Sequence, residues 1–310
     1  MDPRKIMLLV VMLLESLLLN AQNPAAPPID ISLVRSNFAT FTNPRHPGNR
    51  IGYRFHEHEP IVYGEIPPSL EAADIDPDRV AQLLTSFKKG HEVFIYVHDI
   101  EKSEHWARQK WTYYMRPVHD GIEMLLIIQT FDEGLPEYYG VQQCFRMSGA
   151  NNAEWRKQIA LTPAFSEYDQ WKGIAVPKRH SLTYVSRNQQ WEALPPTDST
   201  MGARTPQGIE IDDKRTGGKP MHKVGPYRAE MLAPIDHGLI TRTDIEGKWV
   251  CGIHWEHTSH VTDHHPADCL HAIVNIGNIP PNSKRILRGK IYWFEGGMEA
   301  LSEKFKSDFR

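Results

Sequence analysis

The densest collection of groups able to bind a metal or move a proton lies between Trp249 and His271, in WVCGIHWEHTSHVTDHHPADCLH. This window holds six of the sixteen histidines, two of the three cysteines (Cys251 and Cys269) and the acids Glu256, Asp263 and Asp268. Imidazole changes charge near neutral pH, and imidazole, thiolate and carboxylate are the common protein ligands of zinc-like cations. Two chemistries are therefore open to it. Successive side chains of a strand point to opposite faces. A strand over Lys248 to His257 sends Trp249, Cys251, Ile253, Trp255 and His257 one way, a mostly apolar set that reads as core. Val250, Gly252, His254 and Glu256 go the other way, and Gly252 leaves open space beside the two polar groups. His254 is the candidate base and Glu256 its catalytic neighbour. Beyond the strand, His260, Asp263, His264 and His265 fall in a loop and form the candidate set for a divalent metal. Their spacing matches neither HExxH nor a pair of CxxC motifs.

Two further strands offer polar faces. Tyr138 to Met147 places Tyr138, Gly140, Gln142, Cys144 and Arg146 on one side. Ile51 to Pro60 places Arg54, His56 and His58 on one side, with Phe55, Glu57 and Glu59 on the other. The segment from Pro163 to Trp171 adds Tyr168 as an acid candidate and Trp171 as a stacking platform. Arginine and glutamine can hydrogen-bond and neutralise a substrate carboxylate. A neutral histidine or a tyrosine can take the adjacent proton, and a second one can protonate the leaving oxygen. Those are the requirements of β-elimination on an acidic polysaccharide. Gln142, Arg146, Arg54, His56, His58 and Trp171 are the substrate-binding candidates, with His254, Glu256, Tyr138 and Tyr168 as the catalytic ones. Hydrolysis would need two carboxyls across the bond, and Glu256 with Glu57, Glu59, Glu167 or Asp169 could supply them.

The elements that must position these residues are mostly strands. Val, Ile and aromatic runs separated by turn residues recur from Ile51 to Phe294, and His119-Asp120-Gly121 has the composition of a hairpin turn. Two helices stand out. One spans 77–89, opened by Asp76-Pro77 with Val80, Leu83, Leu84 and Phe87 as its apolar stripe. The other runs from 297 to 309. No alternating βαβ units, Gly-rich phosphate loop or dinucleotide fingerprint occurs. The expected fold is mainly β, an antiparallel β-sandwich of jelly-roll-like kind, as a single domain over 51–310 with a long loop near 194–226 and a short strand at Ile209 to Ile211.

The N-terminus, with Arg4 and Lys5 before the apolar run Ile6 to Leu14 and a break at Asn20-Ala21-Gln22, has the pattern of a secretory signal peptide over 1–21, cleaved after Ala21. Residues 22–50, rich in proline, read as an extended linker. Export to the periplasm or the exterior follows as an expectation, without stable membrane insertion of the mature chain. Three cysteines allow at most one bridge, with Cys251 and Cys269 the pair nearest in sequence. A net charge of −3 over 310 residues gives no electrostatic footprint for nucleic acid. The function expected is a secreted enzyme cleaving a polysaccharide, of lyase or glycoside-hydrolase type, with carbohydrate as partner. The alternatives are a non-catalytic carbohydrate-binding or structural envelope protein, and a metal-binding protein or metal-dependent enzyme using 254–271.

Overall fold

The computed structural model describes residues 29–35, 37–46, 50–65, 77–89, 92–146, 183–194, 200–217, 223–224, 227–231, 233–244, 247–264 and 269–309. Two β-sheets pack face to face. The first holds nine strands in the order β1 (Asp30–Arg35), β2 (Phe38–Thr42), β3 (Arg50–Tyr63), β7 (Tyr138–Arg146), β16 (Cys269–Asn275), β15 (Thr258–His264), β10 (Thr200–Arg204), β12 (Tyr227–Met231) and β11 (Lys223–Val224). The second holds eight, in the order β4 (Phe94–Ile100), β5 (Gln109–Val118), β6 (Gly121–Thr130), β17 (Lys284–Glu295), β14 (Trp249–Trp255), β13 (Ile240–Thr243), β8 (Thr183–Arg187) and β9 (Gln190–Ala193). Neighbours run antiparallel except β10 and β12, which are parallel. The expected antiparallel β-sandwich is the fold observed.

Alternation fills the space between the sheets. Phe41, Tyr53, Phe55 and Phe145 from the first sheet meet Tyr96, Trp111, Tyr113, Trp255 and Trp293 from the second, all buried. Burying a large apolar side chain contributes roughly 1.5–3 kcal/mol each, so this aromatic layer dominates the core. The Trp255 indole N–H donates to the Tyr53 hydroxyl at 3.2 Å across the layer, which satisfies a polar atom that burial would otherwise leave costly. Of the predicted inward set on β14, Cys251, Ile253 and Trp255 are core and Trp249 packs half-buried against it, while His257 lies past the strand in a turn and is exposed.

Helices cover the outside of the second sheet. Helix α1 (Pro77–Lys88) packs Phe87 on Leu125, Ile127 and Ile286. Helix α3 (Met298–Phe309) packs Leu301 and Phe305 on Val250, Tyr292 and Phe294. Both helices expected from sequence are present. Helix α2 (Pro206–Thr216) packs on β15 of the first sheet. Thr205 caps it, its hydroxyl accepting from the Gly208 amide at 3.3 Å, and Gly217 closes it in the left-handed region at φ 65°.

Three expectations about organisation need correction. The segment 194–226 is not a long loop: it contains β10, α2 and β11, and Ile209 and Ile211 are helical. The sandwich does not begin at residue 51, because β1 and β2 extend the first sheet back into the proline-rich segment. Residues 258–264 are the strand β15, not a loop. The proposed signal segment lies outside the described residues, and among those described no helix is long and apolar enough to cross a membrane.

Candidate functional site

The outer face of the first sheet is where polar side chains converge. Cross-strand partners share a face. The register Arg54↔Cys144, Cys144↔His271, His271↔Thr262 and Cys269↔His264 therefore lays these six residues, with Gln142 and Arg146, over four adjacent strands. Gln142, Cys144, Arg146, Thr262, Cys269 and His271 are buried even though they face away from the apolar core.

Glu57 sits at the centre. Its carboxylate lies 3.3 Å from His271 Nε2, accepts from Gln142 Nε2 at 3.2 Å and from Arg54 Nη1 at 3.2 Å, and lies 4.0 Å from His58 Nε2. Strict alternation puts Glu57 with Phe55, towards the core. The strand breaks that rule: its register with β7 shifts between Arg54 and Glu57 and again between Glu57 and Ile61, and His58 adopts φ 66°. Asn37 clamps this bulge, its amide donating to the His56 carbonyl at 2.8 Å and accepting from the His56 N–H at 3.0 Å. A bulge re-aims side chains at the cost of ladder pairing. Here it turns Glu57 onto the polar face and sends His56 away. The His56 Nε2 meets His98 Nε2 at 2.8 Å, beside Trp106 and Trp111.

The electrostatics follow from this packing. Burial opposes the charge of Glu57, but the His271 hydrogen bond and the nearby His271, Arg146 and Arg54 charges outweigh it and hold the carboxyl well below its usual range. Burial likewise opposes a charge on His271. The contacts with Cys144 and Glu57 win, and the imidazole is raised above 6.5. The Cys144 thiol is itself pushed up by burial and its Cys269 neighbour, so it is neutral, and Glu57 is the charge that keeps the proton on His271. Thr262 Oγ1 lies 2.8 Å from His271 Nδ1 and fixes the ring. His264 and His58 go the opposite way. Burial, then the cations His271 and Arg146, lower His264 to about 4, and burial lowers His58.

The remaining candidates scatter. His254 and Glu256 belong to the other sheet. His254 is capped by Phe305 and Phe309 of α3, and burial followed by His237 lowers it to about 3. The open space expected at Gly252 is filled, since a Cβ there would meet Thr241 at 2.8 Å. Glu256 is tied to Arg288 at 2.7 Å. Neither is brought together with Gln142 and Arg146, so no single proton transfer uses all four. Tyr138 lies on the polar face, its hydroxyl 2.8 Å from Ser259 Oγ and pushed up to about 12 by burial.

Among the described residues, His260, Asp263 and His264 of the expected metal set are not assembled. Asp263 points between the sheets to Arg242, at 3.1 Å and fully buried, while His260 and His264 share the opposite face. His260 lies 3.5 Å from Asp212 of α2, which Arg204 also holds at 3.2 Å. Tyr168, Trp171 and His265 lie outside the described residues.

Glu57, His271 and the Cys144–Cys269 pair were missed as members of one site. Alternation along Cys269–Asn275 puts Cys269 and His271 on one face, and that signal was present in the sequence. Glu57 had none, because its orientation depends on the bulge. A cavity of about 260 Å³ lies elsewhere, on the outside of the second sheet between α1 and α3. Its charged lining is paired, Arg116 with Glu123 and Lys290 with Asp308 inside it and Arg288 with Glu256 outside it, and it touches none of the polar-face residues.

The fold and the site together define a two-sheet sandwich with a buried, charged outer face. No protein-family model and no curated protein matches the chain. Among solved structures it is similar to a crystal structure described as a "putative mutarotase (YeaD) from Salmonella typhimurium", at 9% identity over 88% of this chain and 96% of that one, with a TM-score of 0.33. So low a superposition does not relate the two chains.

Proposed function

We propose that the chain is an exported enzyme that cleaves an acidic polysaccharide by β-elimination at the polar face of the first sheet. The observation that carries this reading is one carboxylate, Glu57, with His271 at 3.3 Å and the partly exposed His58 at 4.0 Å, imidazoles that their surroundings shift in opposite directions. His271 carries a proton, while His58 and His264 are held neutral. Titratable neighbours driven apart in this way suit paired acid and base work. Arg54 and His58 are the partly exposed members, so an incoming uronate would meet them first. Arg54, with Arg146 and Gln142 behind it, would take the substrate carboxylate. His58 would remove the proton next to that carboxylate, and the proton held at His271 would pass to the leaving oxygen. Hydrolysis by a carboxyl pair has less support, because Glu256, common to every expected pair, sits with the second sheet and is tied to Arg288.

The test is a panel of acidic and neutral polysaccharides followed by the ultraviolet absorbance of unsaturated product ends. Turnover is expected on a uronate polymer only. His58→Ala should slow it by about 10²–10⁴-fold, the usual contribution of a general base, with an unchanged thermal midpoint. Absence of unsaturated ends from every acidic polymer, or a His58→Ala protein at full rate, would overturn the reading.

A further inference from the structure

Cys144 on β7 stands opposite His271 on β16, and Cys269 stands opposite Arg146. The two cysteines are thus diagonal neighbours on one face. One ligand atom from each of Cys144, Cys269 and His271 lies within 4.8 Å of the others, and all three residues are buried. Neither cysteine is in a disulfide. From the geometry of these three residues we propose a tetrahedral site for a thiophilic d¹⁰ cation of the Zn²⁺ class. A zinc ion bonds sulfur at ~2.3 Å and nitrogen at ~2.0 Å, so tetrahedral ligand atoms stand about 3.3–3.8 Å apart. The observed spread needs only small side-chain rotations to reach that figure.

The surroundings match what such an ion requires. Thr262 holds Nδ1 at 2.8 Å, leaving Nε2 as the ligand nitrogen. A ring fixed through its other nitrogen is the usual outer-shell arrangement for a metal-binding histidine. Glu57 lies 3.3 Å from Nε2 but outside the cluster of Cys144, Cys269 and His271, so it reaches the fourth position only by turning toward the sulfurs. Two thiolates and one carboxylate are opposed by the dication, by Arg146, which hydrogen-bonds Cys144, and by the partly exposed Arg54 on Glu57. Neighbouring opposite charges offset the desolvation cost that an uncompensated buried ion would incur. On binding, the thiol protons and the His271 proton pass to solvent.

The site stands on geometry and holds whether or not the elimination chemistry does. If both are correct, an ion seated here takes His271 and Glu57 out of proton transfer, and the loaded protein is silent. The experiment uses the full chain, stripped with chelator and dialysed against Zn²⁺ or Co²⁺. One ion per chain is expected, with sulfur-to-cobalt charge-transfer absorbance and the visible bands of tetrahedral cobalt. Cys144→Ser and Cys269→Ser should each weaken binding at least tenfold. Cys251→Ser, in the core of the other sheet, should leave it unchanged. Absence of stoichiometric uptake by the unaltered chain, or bound cobalt without the sulfur band, would overturn the proposal even if the serine variants failed to fold. So would full affinity in folded Cys144→Ser. A chain that binds zinc but, once stripped of metal, still cleaves no polymer would sink the elimination reading alone.

Discussion

Glu57 governs the charge of the polar face, and the consequences can be worked out with sign. Its carboxyl is depressed from 4.5, so its stabilisation is present above the unfolded value and lost as pH falls through the folded one. His271 is raised from 6.5, so its stabilisation is complete below 6.5 and lost as pH rises through its folded value. Both contributions overlap at neutral pH. Glu57→Gln keeps the shape and removes the charge. Breaking a buried ion pair by removing one partner costs about 3–5 kcal/mol, and a loss of that order is expected in denaturant unfolding. The His271 imidazole should also titrate at lower pH, read by NMR. A His271 titration unmoved in the variant would show that Glu57 is not what holds the proton.

At the scale of elements, the sequence was legible where strands were regular. Tyr138–Arg146 alternates without interruption, and Gln142, Cys144 and Arg146 were placed together from that pattern alone. Arg50–Tyr63 was misread because a bulge clamped by Asn37, from the turn between β1 and β2, decides which way Glu57 and His56 point. No local pattern encodes that. Helix α2 was missed for another reason. PQGIEIDDKRT alternates Ile209 and Ile211 as a strand would, and burial of Asp212 against Arg204 and His260 replaces the apolar stripe that marks a helix. Its signal lay at the ends, Thr205-Pro206 and Gly217. That cap gives a test. The Thr205 hydroxyl contacts the Gly208 amide and the carbonyls of Thr258 at 2.9 Å and Ser259 at 3.0 Å. Thr205→Ala should lower stability by about 0.5–2 kcal/mol, and Thr205→Ser should restore most of it. Equal denaturant midpoints for all three proteins would refute the capping role.

For the whole molecule, the histidines set an acid limit. Burial lowers His254 to about 3, His264 to about 4 and, together with the neighbouring His98, His56 to about 4, against 6.5 for the free side chain. The unfolded chain therefore takes up protons below pH 6.5 that the folded chain refuses. Stability should fall steadily from pH 6.5 towards 4, visible as a declining thermal midpoint, and a flat midpoint over that range would contradict the packing. The charged pair between the sheets has a different consequence. Arg242 of β13 and Asp263 of β15 meet at 3.1 Å with both side chains fully buried. A slip of either strand by one residue turns all its side chains over. A slip of β15 would push Thr262 and His264 into the aromatic layer, turn Asp263 out of it and leave Arg242 buried without that carboxylate. The pair thus acts as an alignment key during folding: mispaired versions of β15 are penalised before the polar face can form. Replacing both partners by apolar residues would then show its effect in the yield of correctly registered chains.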